Sequence, residues 1–177
     1  CRDYALVTVS LLRERGLEAR LRCGFADYLM AGHWSDHWLC EYRSIGGTDW
    51  TLIDAQLDPV QRIHYGIGFD IHEVPRDRFV TAPEAWRAVR SGWVEADRFG
   101  HFPEAVGVWF FHVNLRRDAL ALENIETSGW DSWREVPDPD RVLTDAQILE
   151  ADGIAAEADR SSPISARKDF RSAAVRI

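Results

Sequence analysis

Two stretches rich in aromatic and β-branched residues, at positions 37–43 and 50–56, constrain the fold most strongly. Such residues favour β-strands, and only a short polar segment separates the two stretches. Within that segment, Gly46-Gly47 supplies the positive φ angles that tight hairpin turns require. The pattern therefore predicts an antiparallel hairpin.

The two closest registers of this hairpin both bring His37 near Asp54. A turn centred between Ile45 and Gly46 puts the two residues directly opposite each other. If the centre moves by one residue, His37 is opposite Gln56, and Asp54 lies on the diagonal. In either case the imidazole and the carboxylate share a sheet face, because side chains alternate along a strand with period two. A three-residue loop would break this relation.

The chain before the hairpin predicts a helix followed by a half-buried strand. Apolar residues recur at helical spacing through residues 2–15, and residues 17–25 alternate between apolar and polar. Cys1 lies on the same helical stripe as Ala5 and Val9. We therefore expect Cys1 to begin the helix and to face inward.

The rest of the chain predicts mainly helices and loops. Residues 27–36, 60–80 and 93–105 have loop-like or irregular patterns, whereas the helical patterns lie at 81–91, 107–124 and 144–158. We expect an α+β fold in which the first helix packs on an antiparallel sheet. The predicted organisation is a single domain at 1–158, with its core at 1–58 and a mainly helical extension at 60–158, and then a polar tail at 159–177.

The composition is that of a globular protein and argues against a nucleic-acid partner. Of the 177 residues, 46% are hydrophobic and 28% are charged, and the formal net charge is −8. Binding to phosphate backbones requires clustered Lys and Arg, which an acidic chain does not favour. Because the sequence contains no apolar run of about 18 residues, we expect no membrane span. Our working expectation is a soluble, cytoplasmic protein.

The cysteines and histidines indicate neither a disulfide framework nor a metal or cofactor site. Cysteine occurs three times, at 1, 23 and 40, without a C-x-x-C pair. Cys23 and Cys40 follow apolar patterns, so we expect both to be core residues. His33 and His37 have the spacing of a helical metal pair, but a glycine-flanked loop precedes them rather than a helix.

A reactive thiol at Cys1 would complete a catalytic constellation. The helix N-terminus and a neighbouring imidazole both favour the thiolate form, which is the nucleophile. His37 would take the proton, and Asp54 would fix the imidazole tautomer. A leading cysteine can instead use its own α-amine as the base, but the helical pattern at 1–12 disfavours that class, whose nucleophile begins a strand. The side chains that we expect to contribute to substrate binding are Trp34, Trp38 and Gln56.

Several short motifs resemble the transglutaminase-like superfamily, a relative of the papain-like cysteine peptidases. They are Cys-Arg-Asp-Tyr-Ala at 1–5, Gly-Leu-Glu-Ala-Arg-Leu at 16–21, Asp-His-Trp at 36–38 and Trp-Thr-Leu-Ile-Asp at 50–54. The resemblance covers residues 1–58. It implies a Cys1–His37–Asp54 triad on an α+β core.

The resemblance also implies a function, which is acyl transfer through a thioester intermediate. Members of the superfamily include transglutaminases, peptidases, peptide deglycosylases and amide-forming enzymes. The expected partners are peptide, protein or small-molecule amides and amines. Whether water or an amine resolves the intermediate is left open, and a non-catalytic binding domain on the same fold is the alternative.

The chain departs from the family's pattern upstream of the nucleophile. Domains of this superfamily have residues before the cysteine that pack on the helix and supply an oxyanion donor, whereas this sequence begins at Cys1. We therefore expect part of the domain to be missing, and an exposed apolar patch near residues 1–12. The second oxyanion donor stays unassigned.

Overall fold

The chain forms an α+β fold, as predicted, in which helices pack against a six-stranded mixed sheet. The computed structural model describes residues 1–133, 135, 138 and 140–161, and for residues 159–161 the backbone only. The helices are α1 (Arg2–Glu14), α2 (Pro59–His64), α3 (Ala82–Arg90), α4 (Val108–Leu122) and α5 (Asp145–Ser161). The strands are β1 (Glu18–Met30), β2 (His33–Arg43), β3 (Thr51–Ile53), β4 (Phe79–Thr81), β5 (Phe99–His101) and β6 (Ala105–Val106).

The centre of the sheet is a long antiparallel hairpin of β1 and β2. The strand order is β4-β1-β2-β5-β6, and β3 also pairs with β2. The prediction of a loop at 27–36 is wrong, because β1 continues to Met30 and β2 begins at His33. Only the turn between these two strands needs loop chemistry, which Gly32 provides with a φ of 73°.

The sheet is mixed rather than wholly antiparallel, because β5 runs parallel to β2. The sequence patterns also missed β4, β5, β6 and the short helix α2. Each of these strands has only two or three residues. Such elements are too short for a hydrophobic period to be recognised.

The pairing of β2 with β3 follows the second of the two predicted registers. Cys40 is opposite Ile53, and continuing this register puts His37 in line with Gln56 and Asp54 on the diagonal. Strand β3 is shorter than the predicted 50–56 and has three residues. The imidazole and the carboxylate still share a face of the sheet, because this depends only on the alternation of side chains along each strand.

One edge of β2 is interrupted, and we call this gap the notch. On that edge β3 pairs with residues 40–42 of β2, and β5 pairs with Trp34 and Ser35. Residues 36–39 between them pair with a strand only on the β1 side. At the notch, β2 therefore has no strand neighbour among the described residues on this second edge next to His37, although β1 pairs with it on the first edge.

The two faces of the sheet have different cores. On the α1 face, Ala5 and Val9 pack in one buried cluster with Cys23, Trp38 and Cys40. The opposite face has a second cluster, which includes Tyr28, Leu39 and Leu52. Because neighbouring strand residues point to opposite faces, His37 lies on the face of Leu39 and points away from α1.

The longer helices agree with the sequence patterns. Helix α3 begins with the Thr81–Glu84 capping box, in which each side chain accepts from the other residue's backbone N–H. Helix α5 continues to Ser161, three residues beyond the predicted end at 158. Residues 162–177 of the predicted tail lie outside the described residues.

The predicted apolar patch on the first helix is present on its outer face. Tyr4, Val7 and Leu11 are 59%, 58% and 63% exposed. They are spaced by three and four residues, so they form one stripe on the helix. The inward stripe of Ala5 and Val9, in contrast, is buried against the sheet.

In the part of the chain that the structure describes, no helix is long and apolar enough to cross a membrane.

Candidate active site

His37 and Asp54 form a buried pair. The His37 Nε2 atom is 2.7 Å from the Asp54 Oδ2 atom, and each side chain is 1% exposed. This distance confirms the prediction that the two groups approach to about 3 Å. Strand parity on β2 and β3 is the reason that the pair forms.

Asp54 has two further hydrogen-bond partners that fix its carboxylate. The Tyr28 hydroxyl donates to Oδ2 at 2.7 Å, the same oxygen that faces the imidazole. The backbone N–H of Gln56 donates to Oδ1 at 3.1 Å. Both carboxylate oxygens are therefore held in place before any ligand arrives.

Sequence reasoning missed Tyr28, because it ended the first strand at residue 25. Continuing the strand by parity from Ala26 puts Tyr28 on the face that carries His37. The two rings meet edge to face, with centroids 6.0 Å apart and an interplanar angle of 88°. A strand extended to Met30 is the signal that would have found this residue.

The electrostatics of the pair favour a charged Asp54. Burial, the largest influence, raises the pKa of this carboxyl, but His37 and the hydrogen bonds from Tyr28 and Gln56 together lower it below the ordinary value. The pKa of Tyr28 is raised well above its usual range, first by burial and then by the adjacent Asp54 carboxylate. Tyr28 therefore stays a neutral donor to Asp54.

The second ring nitrogen of His37 stays uncommitted. Nε2 faces Asp54, and Nδ1 makes no hydrogen bond to any residue that the structure describes. A carboxylate at one ring nitrogen fixes the tautomer and leaves the other nitrogen as a proton acceptor. The pair can therefore serve as a general base at Nδ1.

Cys1 is exposed, so the prediction that it faces inward is wrong. It is the N-cap residue of α1, and the buried stripe of this helix begins one turn later, at Ala5. No hydrogen bond between the Cys1 thiol and His37 occurs among the described contacts. The expected approach of Sγ to within about 4 Å of the imidazole stays a prediction.

The other two cysteines are core residues, as predicted. Cys23 and Cys40 are fully buried beside α1. Burial is the main cause that raises the pKa of the Cys23 thiol and takes that of Cys40 to about 12. Thiolate chemistry in this chain is therefore most accessible at Cys1.

The predicted substrate-binding side chains lie in different environments. Trp34 and Trp38 are only 2% and 3% exposed and pack in hydrophobic clusters, so here they are core residues rather than walls of a groove. Gln56 adjoins the pair through its backbone, and its Oε1 atom is buried without a hydrogen-bond partner in the described structure. Of the three, Gln56 alone remains beside the site.

Glu41 is not a second partner for the imidazole. It lies on the same face of β2 as His37, but three guanidinium groups surround it, those of Arg20, Arg22 and Arg76 at 2.6–3.2 Å. Burial raises the pKa of Glu41, but these cations outweigh burial and lower it to about 2. The carboxylate is fully occupied in a structural ion network.

Among the residues that the structure describes, no group of three or more His, Cys, Asp or Glu side chains is arranged to hold a metal ion. Comparison of the chain with models of protein families, with curated proteins and with solved structures found no significant match.

Proposed function

We propose that this protein is a cysteine-dependent acyl-transfer enzyme of the transglutaminase-like type. The observation that carries the proposal is the buried His37–Asp54 pair, with 2.7 Å between Nε2 and Oδ2 and with Nδ1 uncommitted. In this proposal Cys1 is the nucleophile, His37 is the general base and acid, and Asp54 orients the imidazole. The substrate is an amide of a peptide, protein or small molecule.

The length of α1 supports an approach of Cys1 to His37. Arg13, near the end of the helix, donates from Nε to the Ala19 carbonyl at 2.8 Å. The twelve residues back to Cys1 span about 18 Å, and about five strand residues cover a similar length. Counting five residues from Ala19 along β1 reaches Gly24, the register partner of His37.

In this proposal, the notch is the route between the two faces at that level. Helix α1 and His37 are on opposite faces of the sheet, so an unbroken strand at this edge would separate them. Residues 36–39 of β2 have no such strand on the notch side. A movement of the first helical turn around this edge would bring the thiol toward Nδ1.

The proposed reaction balances without a cofactor. The Cys1 thiol proton passes to His37 Nδ1, and Sγ attacks the carbonyl carbon to form a tetrahedral oxyanion. The imidazolium then returns the proton to the leaving amine, which gives a thioester. Water or an amine attacks the thioester, and His37 again takes and returns one proton. Because Cys1 makes no side-chain cap, N–H groups of the first turn of α1 are available to the oxyanion.

A binding domain is the second candidate. The observations that favour it are the exposed stripe of Tyr4, Val7 and Leu11 and the lack of a hydrogen bond between Cys1 and His37. In that case the His37–Asp54 pair is structural.

Trapping of an acyl-enzyme distinguishes these candidates. The protein is incubated with p-nitrophenyl acetate, and intact mass and peptide mapping locate the acetyl group. We expect acetylation of Cys1 that disappears in Cys1→Ser, slows strongly in His37→Ala and persists in His64→Ala, which removes an exposed histidine. Equal acetylation in the two histidine variants would contradict the proposal and favour the binding domain.

A further inference from the structure

The guanidinium of Arg98, a partly buried residue, lacks the partners that the buried arginines have. Its Nε and Nη2 atoms are buried without a hydrogen-bond partner, and it forms no ion pair with any described residue. In contrast, Arg22 binds the carboxylates of Glu41 and Asp118, and Arg117 donates to Asn114 and to the Asp131 carbonyl. An arginine stays charged in proteins, so a guanidinium with two buried and unpaired nitrogens calls for an anion.

No acidic residue in the described part of the chain pairs with Arg98, so this anion must come from outside it. Asp97, the neighbouring acid, is exposed and makes no ion pair with the guanidinium. His33, on the adjacent strand, donates from Nε2 to the Gly100 carbonyl at 3.2 Å. Burial lowers the pKa of His33, and the charge of Arg98 lowers it further, so a neutral imidazole lies beside the cation.

A glycine lies next to one side of the guanidinium. Gly32, in the turn between β1 and β2, has a φ of 73°. A Cβ atom at this position would meet nothing within 4 Å except Arg98 Nη2, at 3.8 Å. Position 32 therefore adds no side chain against Nη2, and Arg98 is only partly buried as a residue.

The location of Arg98 relates it to the proposed active site. Arg98 and His33 directly precede the paired residues Phe99 and Trp34. Because Trp34 packs in the cluster with α4, its strand neighbour His33 lies on the other face of the sheet, as His37 does. Arg98 ends the short 3₁₀ turn that leads into β5, and its charge acts on His33. His33 and His37 are four residues apart on β2, which corresponds to about 13 Å.

We propose that Arg98 binds the carboxylate of an acidic peptide substrate. The planar fork of the guanidinium matches a carboxylate. The distance along β2 puts the acidic side chain about four extended residues from the reacting carbonyl. The identity of this peptide as a substrate rests on the proposed function, whereas its binding at Arg98 does not.

The test measures binding in the full chain with Cys1→Ser, so that no turnover occurs. The probes are blocked pentapeptides of alanine and glutamine with one terminal glutamate, at either end, and the same peptides with glutamine in its place. Binding is followed by calorimetry and by the NMR signal of the Arg98 Nε–H group. Acetate and inorganic phosphate are titrated separately as free anions.

We expect one glutamate peptide to bind on the order of tenfold more tightly than its glutamine counterpart and to shift the Arg98 signal. This preference should disappear in Arg98→Gln and persist in Arg62→Gln, which removes an exposed charge of the same kind. Acetate and phosphate should bind more weakly than the glutamate peptide.

Three results would overturn the inference: no shift of the Arg98 signal with any glutamate peptide, a glutamate preference that survives Arg98→Gln, or tighter binding of phosphate than of peptide. The NMR arm leaves Arg98 intact, so it does not depend on the folding of a variant. If the preference is found but no acyl-enzyme forms, the carboxylate site stands and the proposed function fails.

Discussion

Two buried acids on one face of the sheet have opposite surroundings. Glu41 accepts from three guanidinium groups, and Arg22 in turn binds Asp118 through two parallel contacts of 3.0 and 2.8 Å. Asp54 instead pairs with a single imidazole, aided by Tyr28 and the backbone of Gln56. His37 and Glu41 are only four residues apart on β2, so both environments belong to the same strand.

The Glu41 network is a complete structural assembly, whereas the His37–Asp54 pair has one ring nitrogen without a partner among the described residues. Around Glu41 every charge has a partner, so the network stabilises the fold and has nothing left to offer a ligand. Around Asp54 the hydrogen bonds end at His37, whose Nδ1 has no partner in the described structure. A group held firmly on one side and uncommitted on the other is the arrangement expected of a catalytic base.

The substitution Asp54→Asn should have the largest effect on activity. The amide preserves the shape of the side chain but favours the wrong imidazole tautomer, so the rate of acyl-enzyme formation should fall by a factor on the order of 10²–10⁴. Stopped-flow release of p-nitrophenol measures this rate. A variant with a near-normal rate would remove Asp54 from the mechanism.

The substitution Glu41→Gln should have the opposite profile. It leaves three guanidinium groups short of a charge partner, and the free energy of unfolding should fall by about 3–5 kcal/mol. The acylation rate per folded molecule should change little, because Glu41 does not touch His37. Urea denaturation gives the stability, and a loss below about 1 kcal/mol would mean that the network is dispensable.

Acid should weaken the Glu41 network in a defined pH range. The pKa of Glu41 is lowered from 4.5 to about 2, so the unfolded chain binds this proton at higher pH than the folded chain does. The ionised Glu41 carboxylate therefore contributes fully to the free energy of unfolding above about pH 5, and this contribution decreases as the pH falls toward about 2. Its full size is about 3 kcal/mol.

Urea midpoints between these pH values provide the measurement, with Glu41→Gln as the control that should have a smaller acid dependence. Asp54, whose pKa is also lowered, contributes with the same sign. Equal acid dependence in the variant and the parent would assign the effect to other carboxylates.

The substitution Tyr28→Phe should have the smallest effect. It removes one buried hydrogen bond to Asp54, so stability should fall by about 1 kcal/mol and the acylation rate by about fivefold or less. If Tyr28 only stabilises the fold, the pH dependence of the acylation rate should not change. If Tyr28 positions Asp54 for catalysis, the acidic limb of the pH–rate profile should shift. Tyr65→Phe, on a partly buried tyrosine beside α2, is the matched control.

The sequence predicted the parts of the fold that depend on periodicity. Helical spacing gave α1, α3, α4 and α5, and the parity of two strands brought His37 to Asp54 without knowledge of the register. The prediction of a shared face is robust because a shift of the turn centre by one residue moves the cross-strand partner by two positions. A shift of two positions leaves the partner on the same face of the sheet. The α+β class follows from these same elements.

The features that the sequence did not predict depend on contacts between distant segments. Tyr28 reaches Asp54 only because β1 continues past a stretch whose composition resembles a loop. The notch exists because two short strands pair with different parts of β2. Cys1 is exposed because an N-cap side chain lies outside the first helical turn, which an extrapolated stripe does not capture.

The most direct test of the account is the rate at which iodoacetamide alkylates Cys1 as a function of pH, measured by peptide mass spectrometry with Cys23 and Cys40 as internal references. We predict that Cys1 reacts much faster than the two buried thiols, with a midpoint well below the ordinary thiol value of about 8.5. This depression should disappear in His37→Ala and persist in His64→Ala. A midpoint near 8.5 that is the same with and without His37 would contradict the catalytic pairing of Cys1 with His37.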